Sequence, residues 1–283
     1  MKYSAYIICN NSTNPIAQSI DSLKRQIIKP IRILIIDDGC EVPLKKVLAS
    51  EKKGITIIQN EKCMGRGFSR NLAFQILNEK YIFSLDSTNI VPEDYMLDLS
   101  KNLIDSSVVG VFGLIKNHAS LMGSAYRWRA RHLFREKEDY GKVPSETLNL
   151  STYATMLSRK HVLEVGNFNK ELKHSEDDDL ALRLSKKKYK IVGDPNLVTY
   201  SIKKESILSV LERYWRWNAQ SNMGISLISY LKMIHFSLKV MAYKDLKQKE
   251  FLVSLYSLLS PHYYFLKCAT DYIKSKNRDK KRR

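Results

Sequence analysis

The chain has 283 residues, 44% of them apolar and 27% charged, with a formal net charge of +18 at pH 7. These values exclude a disordered chain and allow one large domain, or one domain with an appendage, around a substantial core. The positive balance favours anionic partners such as nucleotides, phospholipid headgroups or nucleic acid. It is also uneven, because Lys203 to Arg283 holds 17 Lys or Arg against 6 Asp or Glu, which is +11 of the +18.

A basic end region points to a surface anchor more than to a basic active site. No helix-turn-helix, RNP-like run or zinc finger accompanies the charge, so nucleic acid is not expected as a partner. Cys9, Cys40, Cys63 and Cys268 are scattered, with no CxxC pair and no His at zinc spacing, and read as reduced cytosolic thiols. The apolar run Tyr6 to Cys9 is too short for a signal peptide. No uninterrupted apolar stretch reaches the ~20 residues of a spanning helix. The expected location is cytoplasmic, peripheral on the inner face of the cell membrane.

In chain order, Ser4 to Cys9 (SAYIIC) is a short strand that ends in the loop AsnAsnSerThrAsnPro. Ile16 to Gln26 has helical spacing. Ile31 to Ile36 (IRILII) is a nearly continuous branched run, as expected for a strand covered on both faces, and it stops at Asp37, Asp38 and Gly39. Leu44 to Glu51 reads as a helix and Ile55 to Gln59 as a strand. Gly65 to Lys80 reads as turn glycines and a helix with Leu72, Ile76 and Leu77 inward. Tyr81 to Leu85 is a fourth strand, ending at Asp86. This alternation predicts a parallel α/β sheet with right-handed crossovers. Ligands of such sheets lie beyond the carboxyl ends of the strands, and three of those ends carry polar groups: Asn10 and Asn11, Asp37 and Asp38, and Asp86.

Val108 to Leu114 is a further strand. Residues 116–151 have no clean period and hold Arg127, Trp128, Arg129, Arg131 and Arg135, which reads as a mobile loop or helix near the substrate. Thr152 to Leu157 reads as a strand, and Lys190 to Val192 with Leu197 to Tyr200 closes the sheet. Ile207 to Trp217, Ile225 to Tyr243 and Phe251 to Ile273 are helical, rich in Leu, Ile, Tyr and Phe, and interleaved with lysines. They are either a helical cap on the sheet or an interfacial surface on anionic lipid. The tail Lys274 to Arg283 is too polar to fold alone and would add to that attraction.

The stretch His174 to Ile191 carries four carboxylates in a row, Glu176, Asp177, Asp178 and Asp179, then Leu180 and Leu184 one turn apart on a buried helix face. Acidic residues in a first helical turn offset the macrodipole. Four of them repel one another more than a dipole requires, and they follow a loop of turn formers (165–169), which marks a catalytic corner at the edge of a cleft. Arg183, four residues after Asp179, is placed to orient the cluster.

Five segments in order, SAYIICNN, IIDDGC, NEKCMGRGFSRN, YIFSLDSTNIVPEDY and VGNFNKELKHSEDDDLALRLSKKKYKI, resemble those of a family 2 glycosyltransferase of the bacterial surface-polysaccharide type. The resemblance covers residues 1 to about 200 and implies a GT-A fold, a Rossmann-like mixed sheet here followed by a C-terminal helical extension. It divides the chain into a nucleotide-sugar-binding and catalytic domain (1–203), a helical membrane-proximal or acceptor-side extension (204–273) and a basic tail (274–283). It implies inverting transfer from a nucleotide-sugar donor, most often a UDP-sugar, to a glycan or lipid-linked acceptor. Asp177 matches the catalytic base, with Glu176 and the following acids raising its pKa by like-charge repulsion. Cys9, Asn11, Asp37, Asp38, Arg70 and Asp86 match donor-binding positions, and ArgTyrTrpArgTrpAsn (213–218) resembles a segment near the acceptor or the membrane, where Trp215 joins Arg183 in orienting substrate.

The pattern departs from the family at the metal. The family has Asp-x-Asp at the end of the fourth strand, whereas here Asp86 is followed by Ser87 and Thr88, and the His after the last strand is replaced by Tyr200 and Ser201. The family's Mn²⁺ or Mg²⁺ would then rest on Asp86 alone, with Thr88 or Asn89 as neutral ligands. Otherwise Arg66, Arg70 or Arg127 neutralises the diphosphate, or the domain is a catalytically silent one that binds nucleotide or sugar. No organic cofactor is expected.

Overall fold

A computed structural model of the chain describes residues 1–48, 54–136, 141, 143–172, 175–218 and 226–282. Among the described residues there are nine strands: β1 (Tyr3–Cys9), β2 (Ile33–Asp37), β3 (Ile55–Gln59), β4 (Tyr81–Asp86), β5 (Asn89–Ile90), β6 (Val108–Asn117), β7 (Ser145–Thr147), β8 (Ala154–Ser158) and β9 (Lys190–Ser201). They form one sheet in the order β3-β2-β1-β4-β8-β6-β9-β5, with β7 on β9. The first four strands are parallel, as their short helical crossovers require. The sheet then becomes mixed, because β8 runs antiparallel to both β4 and β6, while β6 and β9 are parallel. What read as two short closing strands is one bent strand, β9, with register shifts where it faces β6.

Alternation along β1 divides the core. Tyr3, Ala5 and Ile7 face a cluster with Ile16, Ile20 and Leu23, whereas Tyr6 joins Phe74, Phe168, Leu180 and Leu184 on the other face. The helices Arg66–Ile76 and Glu176–Lys186 therefore cover the same face. Burial in helix Arg66–Ile76 follows Gly67, Arg70, Ala73 and Phe74, while Leu72 and Ile76, expected inward, are half-buried beside Leu77.

The chain divides into two compact units, Met1–His118 with Asp139–Lys203, and Ala119–Glu138 with Lys204–Arg283. Residues 119–138, read from sequence as part of the first domain, belong to the second unit. Trp128 explains this. It is fully buried in a cluster with Val210, Leu211, Met241 and Val253, and its indole N–H donates to Ser257 Oγ at 2.9 Å. The neighbouring Arg129 pairs with Glu205 at 2.6 Å, both buried, and lies between the rings of Tyr126 and Phe134. Helix Phe251–Arg282 continues through most of the basic tail, so residues 274–282 are an extension of an anchored helix rather than a separate segment. The predicted helices 44–51 and 225–243 run partly outside the described residues.

Gly67 is where helix Arg66–Ile76 meets the loop before the acidic helix. Its N–H donates to the Leu172 carbonyl at 3.2 Å, and an added Cβ would meet the carbonyl oxygens of Asn169 and Leu172 at 2.2 and 2.5 Å. Both obstacles are backbone, so relief requires moving the loop. Gly67→Ala is expected to destabilise the chain by roughly 1–3 kcal/mol, read as a lower urea midpoint. An unchanged midpoint would mean the loop yields freely.

Candidate active site

The carboxyl ends of β1, β2 and β4 meet at one edge, where Cys9 is level with Asp37 and Ile8 with Asp86. β1 has β2 on one side and β4 on the other, the switch point at which a crevice opens in an open α/β sheet. Asn14 crosses it, donating to Ser87 Oγ at 3.1 Å and reaching Cys9 Sγ at 3.9 Å. Asn11 closes the loop after β1 by accepting from the N–H and hydroxyl of Thr13, and the Cys9 thiol donates to the Asn11 carbonyl.

Asp37 and Asp38 are both buried, and each organises one loop. Asp37 accepts the N–H of Cys40 and of Leu44, both at 2.8 Å, which fixes the turn and the start of helix Leu44–Val47. Asp38 accepts the Asn60 amide at 2.8 Å and the N–H groups of Met64 and Gly65 at 2.9 and 3.0 Å. The exposed thiol of Cys63 lies 3.5 Å from the same carboxylate. Gly39 permits this packing, with φ of +75° and a virtual Cβ 2.4 Å from the Cys63 nitrogen. The paired aspartates thus build the crevice wall from two strand ends.

Helix Arg66–Ile76 presents Gly67, Arg70, Asn71 and Phe74 on one face, the i, i+3, i+4, i+7 spacing of a helical stripe. Asn71 donates to the Phe168 carbonyl at 2.6 Å and accepts from Asn167 at its own carbonyl. Phe74 packs on Phe168 at 5.5 Å. Arg70 sits at the centre. Its Nε donates to Glu176 Oε1 at 3.0 Å, and its Nη1 donates to Ser84 Oγ at 2.9 Å and the Tyr6 hydroxyl at 3.2 Å. Burial opposes its charge, but Tyr6, Glu176, Asp86 and Asp177 together outweigh burial and hold the guanidinium firmly protonated. The donor-binding expectation for Arg70 meets a side chain turned inward.

The four carboxylates form the first turn of helix Glu176–Lys186, entered through Ser175 in a left-handed conformation, φ of +57°. His174 lies outside the described residues. They separate by environment. Glu176 is buried against Arg70. Asp179 pairs with Arg183 at 2.6 Å, and Arg183 also donates to the Val165 carbonyl. Arg183 therefore clamps the far end of the run to the preceding loop and does not touch Asp177. Asp178 is exposed. Asp177 is half-buried and accepts the Thr152 hydroxyl at 3.3 Å. Burial first, then the Glu176 and Asp178 charges, raise its pKa above the usual carboxylate range, with Arg70 opposing. Tyr6, Ser84 and Thr152 escaped sequence reasoning because isolated hydroxyl residues in a strand or the turn beside it carry no motif. Trp215 falls within helix Ile207–Asn218, but its side chain lies outside the described residues. Arg127 pairs with Glu250 in the second unit at 2.9 Å.

The family model for glycosyl transferase family 2 matches residues 4–166, more than half of the chain. The chain belongs to this family. The O-antigen chain rhamnosyltransferase RfbN of Salmonella typhimurium is 25% identical over 205 residues, 68% of this chain and 63% of that one. Among solved structures, S. aureus TarS 1–349 in complex with UDP-GlcNAc matches with a TM-score of 0.56 at 16% identity, over 99% of this chain and 92% of that one. Mannosyltransferase PcManGT from Pyrobaculum calidifontis, in complex with GDP-Man and Mn²⁺, matches with a TM-score of 0.58 at 12% identity, over 95% and 75%. These likenesses give this glycosyltransferase its GT-A fold.

Asp86 is the residue on which the family's metal would rest, if this chain holds one. Among the described residues of the glycosyltransferase, no three His, Cys, Asp or Glu side chains are grouped to hold an ion. Asp86 is half-buried at the end of β4, and its carboxylate makes no hydrogen bond among the described residues. The Asn89 amide reaches the Tyr153 carbonyl. One carboxylate plus donor phosphate oxygens and water is a set that suits Mg²⁺ or Mn²⁺ arriving with a diphosphate. Nearby, His118 at the end of β6 donates its N–H to the Ser201 carbonyl and stands edge-on to Tyr200.

Glu176 repels the Asp177 carboxylate while Arg70 attracts it. Glu176→Gln removes the repulsion and keeps the attraction, so the Asp177 pKa is expected to fall. A ¹³C-carboxyl NMR titration of both proteins checks this, and an equal or higher value in the variant would reverse the assignment of causes.

Proposed function

We propose that this glycosyltransferase moves a sugar, with inversion, from a nucleotide-sugar donor of the UDP class to a glycan or lipid-linked acceptor of a cell-surface polysaccharide. The observation that carries this reading is Asp177, a half-exposed carboxylate with a raised pKa, held beside Arg70 at the edge where Asp86 also acts. Asp177 takes the proton of an acceptor hydroxyl as that oxygen bonds to the anomeric carbon. The bond from that carbon to the diphosphate breaks, and the nucleoside diphosphate leaves with the electron pair. A base with an elevated pKa is better matched to that proton than an ordinary carboxylate. The nucleoside lies against the wall made by Asp37 and Asp38, and Cys9 and Asn11 shape the loop beside it. Asp86 would hold Mn²⁺ or Mg²⁺, which would neutralise the diphosphate. Arg66, exposed directly after the Asp38-bound loop, supplies positive charge. The naming of RfbN for an O-antigen chain and the complex of TarS with UDP-GlcNAc support the acceptor and donor classes.

Melting temperature with UDP, GDP and CDP, each with Mn²⁺ or with chelator, tests the reading. Binding to the folded state should raise the melting temperature by several degrees near saturation. A UDP shift that requires Mn²⁺ assigns the metal to Asp86, and one that survives chelation assigns the phosphate charge to Arg66. No shift with any nucleotide would favour a catalytically silent domain, the reading that Thr88 in the family's second acidic position supports. Asp177→Asn should abolish transfer with nucleotide affinity retained, and a variant that still turns over removes Asp177 as the base.

The second unit supports placing the enzyme on the cytoplasmic face of an anionic membrane. Helix Phe251–Arg282 buries Ser254, Ser257 and Ser260 while Leu252, Leu255, Leu259 and Leu266 are exposed. Helix Leu227–Phe236 buries none of its residues and exposes Leu227, Ile228 and Leu231. Polar groups turned in and leucines turned out suit a surface set into lipid headgroups, with Lys232, Lys239 and Lys244 meeting anionic lipid. Among the described residues no helix is long and apolar enough to cross a membrane. Leu255→Asn with Leu259→Asn should weaken binding to phosphatidylglycerol vesicles about tenfold or more, at two lost leucines of burial. Deleting Lys274 to Arg283 should weaken it at low salt only. Vesicle binding unchanged in both variants would sink the membrane assignment.

A further inference from the structure

We infer that Arg70 is a positioning residue that holds Asp177 from two directions and does not contact the donor. The inference rests on the reading of Asp177 as the general base. One arm runs through the acidic helix, where Arg70 Nε binds Glu176 Oε1 at 3.0 Å and so fixes the residue immediately before Asp177. The other arm runs through the sheet. Arg70 Nη1 donates to Ser84 Oγ at 2.9 Å, Ser84 Oγ donates to the Thr152 carbonyl at 2.7 Å, and the Thr152 hydroxyl donates to Asp177 Oδ2 at 3.3 Å. Both arms close on neighbouring atoms of one helical turn, so the carboxylate is tied to β4 and to helix Arg66–Ile76 together.

The geometry leaves little of the guanidinium open to a phosphate, since Nε and Nη1 are both taken by protein partners. Side-chain exposure is 3% for Arg70 and 2% for Glu176. The Tyr6 hydroxyl takes a further hydrogen bond from Nη1, and the Phe168 ring lies 6.0 Å from the guanidinium carbon. Holding three partners in fixed directions needs the planar fork of an arginine; a lysine carries the same charge at one point and cannot span Glu176 and Ser84 together. Arg70→Lys therefore separates charge from geometry.

The experiment compares wild type, Arg70→Lys and Thr152→Val, each with selectively labelled aspartate. Coupling constants at the Asp177 β-protons should show one χ1 rotamer in wild type and averaging among rotamers in both variants, since each variant cuts an arm. Dissociation constants for UDP, GDP and CDP with Mn²⁺ should stay within twofold of wild type. For a nucleotide sugar that the wild type turns over, kcat should fall at least tenfold in Arg70→Lys with KM for the donor unchanged. An Asp177 side chain that stays in one rotamer in both variants overturns the inference. So does nucleotide affinity that falls tenfold in Arg70→Lys, which would make Arg70 a donor ligand. If Arg70→Lys does not fold, Thr152→Val decides alone through the same rotamer measurement. Turnover retained by Asp177→Asn would remove the base reading and leave the coupling of Arg70 to the Asp177 side chain to stand or fall on the rotamer data.

Discussion

The Arg70–Glu176 ion pair joins residues 106 apart in sequence and almost wholly removed from water. Desolvating two charges costs several kcal/mol each, so a pair of this kind persists only where geometry and extra hydrogen bonds offset the loss. Here Tyr6, Ser84 and the Phe168 ring supply that offset. Removing one partner would leave a bare buried charge, at roughly 3–5 kcal/mol, whereas replacing both with apolar groups is often neutral. Stability alone thus gives little reason for this arrangement. What the pair provides is location, because it sets the first turn of helix Glu176–Lys186 against β4 and so fixes where Asp177 stands. Gly67, Asn71 and Phe74 on the same helical stripe hold the loop 167–172 that delivers that turn.

A similar logic applies at the other wall of the crevice. Asp37 and Asp38 are satisfied by backbone N–H groups and by Asn60, so the loops that follow β2 and β3 are held by the protein's own hydrogen bonds. Ordering a loop upon binding costs about 1–2 kcal/mol per residue fixed, and a wall built beforehand avoids that cost. The four acids of the 176–179 run likewise divide their tasks. Two are neutralised by arginine, Glu176 by Arg70 and Asp179 by Arg183. That leaves Asp177 and Asp178 to carry net charge, and only Asp177 is half-buried and hydrogen-bonded to Thr152.

Local pattern made much of this legible. β-branched runs mark β1 to β4 to within about two residues, because a strand buried on both faces needs continuous apolar side chains. The polar ends of those strands mark the crevice. The acidic run marks its own helix, and burial with a neighbouring charge raises the Asp177 pKa as like-charge repulsion predicts. Long-range partnership was not legible. Nothing near Arg70 in sequence announces Glu176, and an arginine in a donor-site motif reads as a phosphate ligand until its side chain is seen to point inward. Arg183 reads as the organiser of the acidic cluster because i,i+4 spacing reveals only Asp179, and the Val165 carbonyl that fixes it is a tertiary contact. Residues 119–138 lack a clean period, and what assigns them to the second unit is a set of tertiary contacts, the buried Trp128 indole on Ser257 and the pairing of Arg127, Arg129 and Arg131 with Glu250, Glu205 and Asp245.

The charge at the end of β4 has a consequence for Asp177. With Thr88 where the family carries a second acid, the crevice presents Asp86 as the carboxylate of that strand end. A second carboxylate there would add to the repulsion on Asp177 and raise its pKa further, while a bound divalent ion would lower it. A neutral Thr88 removes the first effect and weakens the second, since an ion held by one carboxylate depends on the incoming diphosphate. The Asp177 pKa is then set mainly by burial, Glu176 and Arg70, all fixed parts of the protein. In this arrangement the electrostatics around Asp177 come from fixed groups of the chain, and Thr88 leaves Asp86 as the carboxylate at the end of β4.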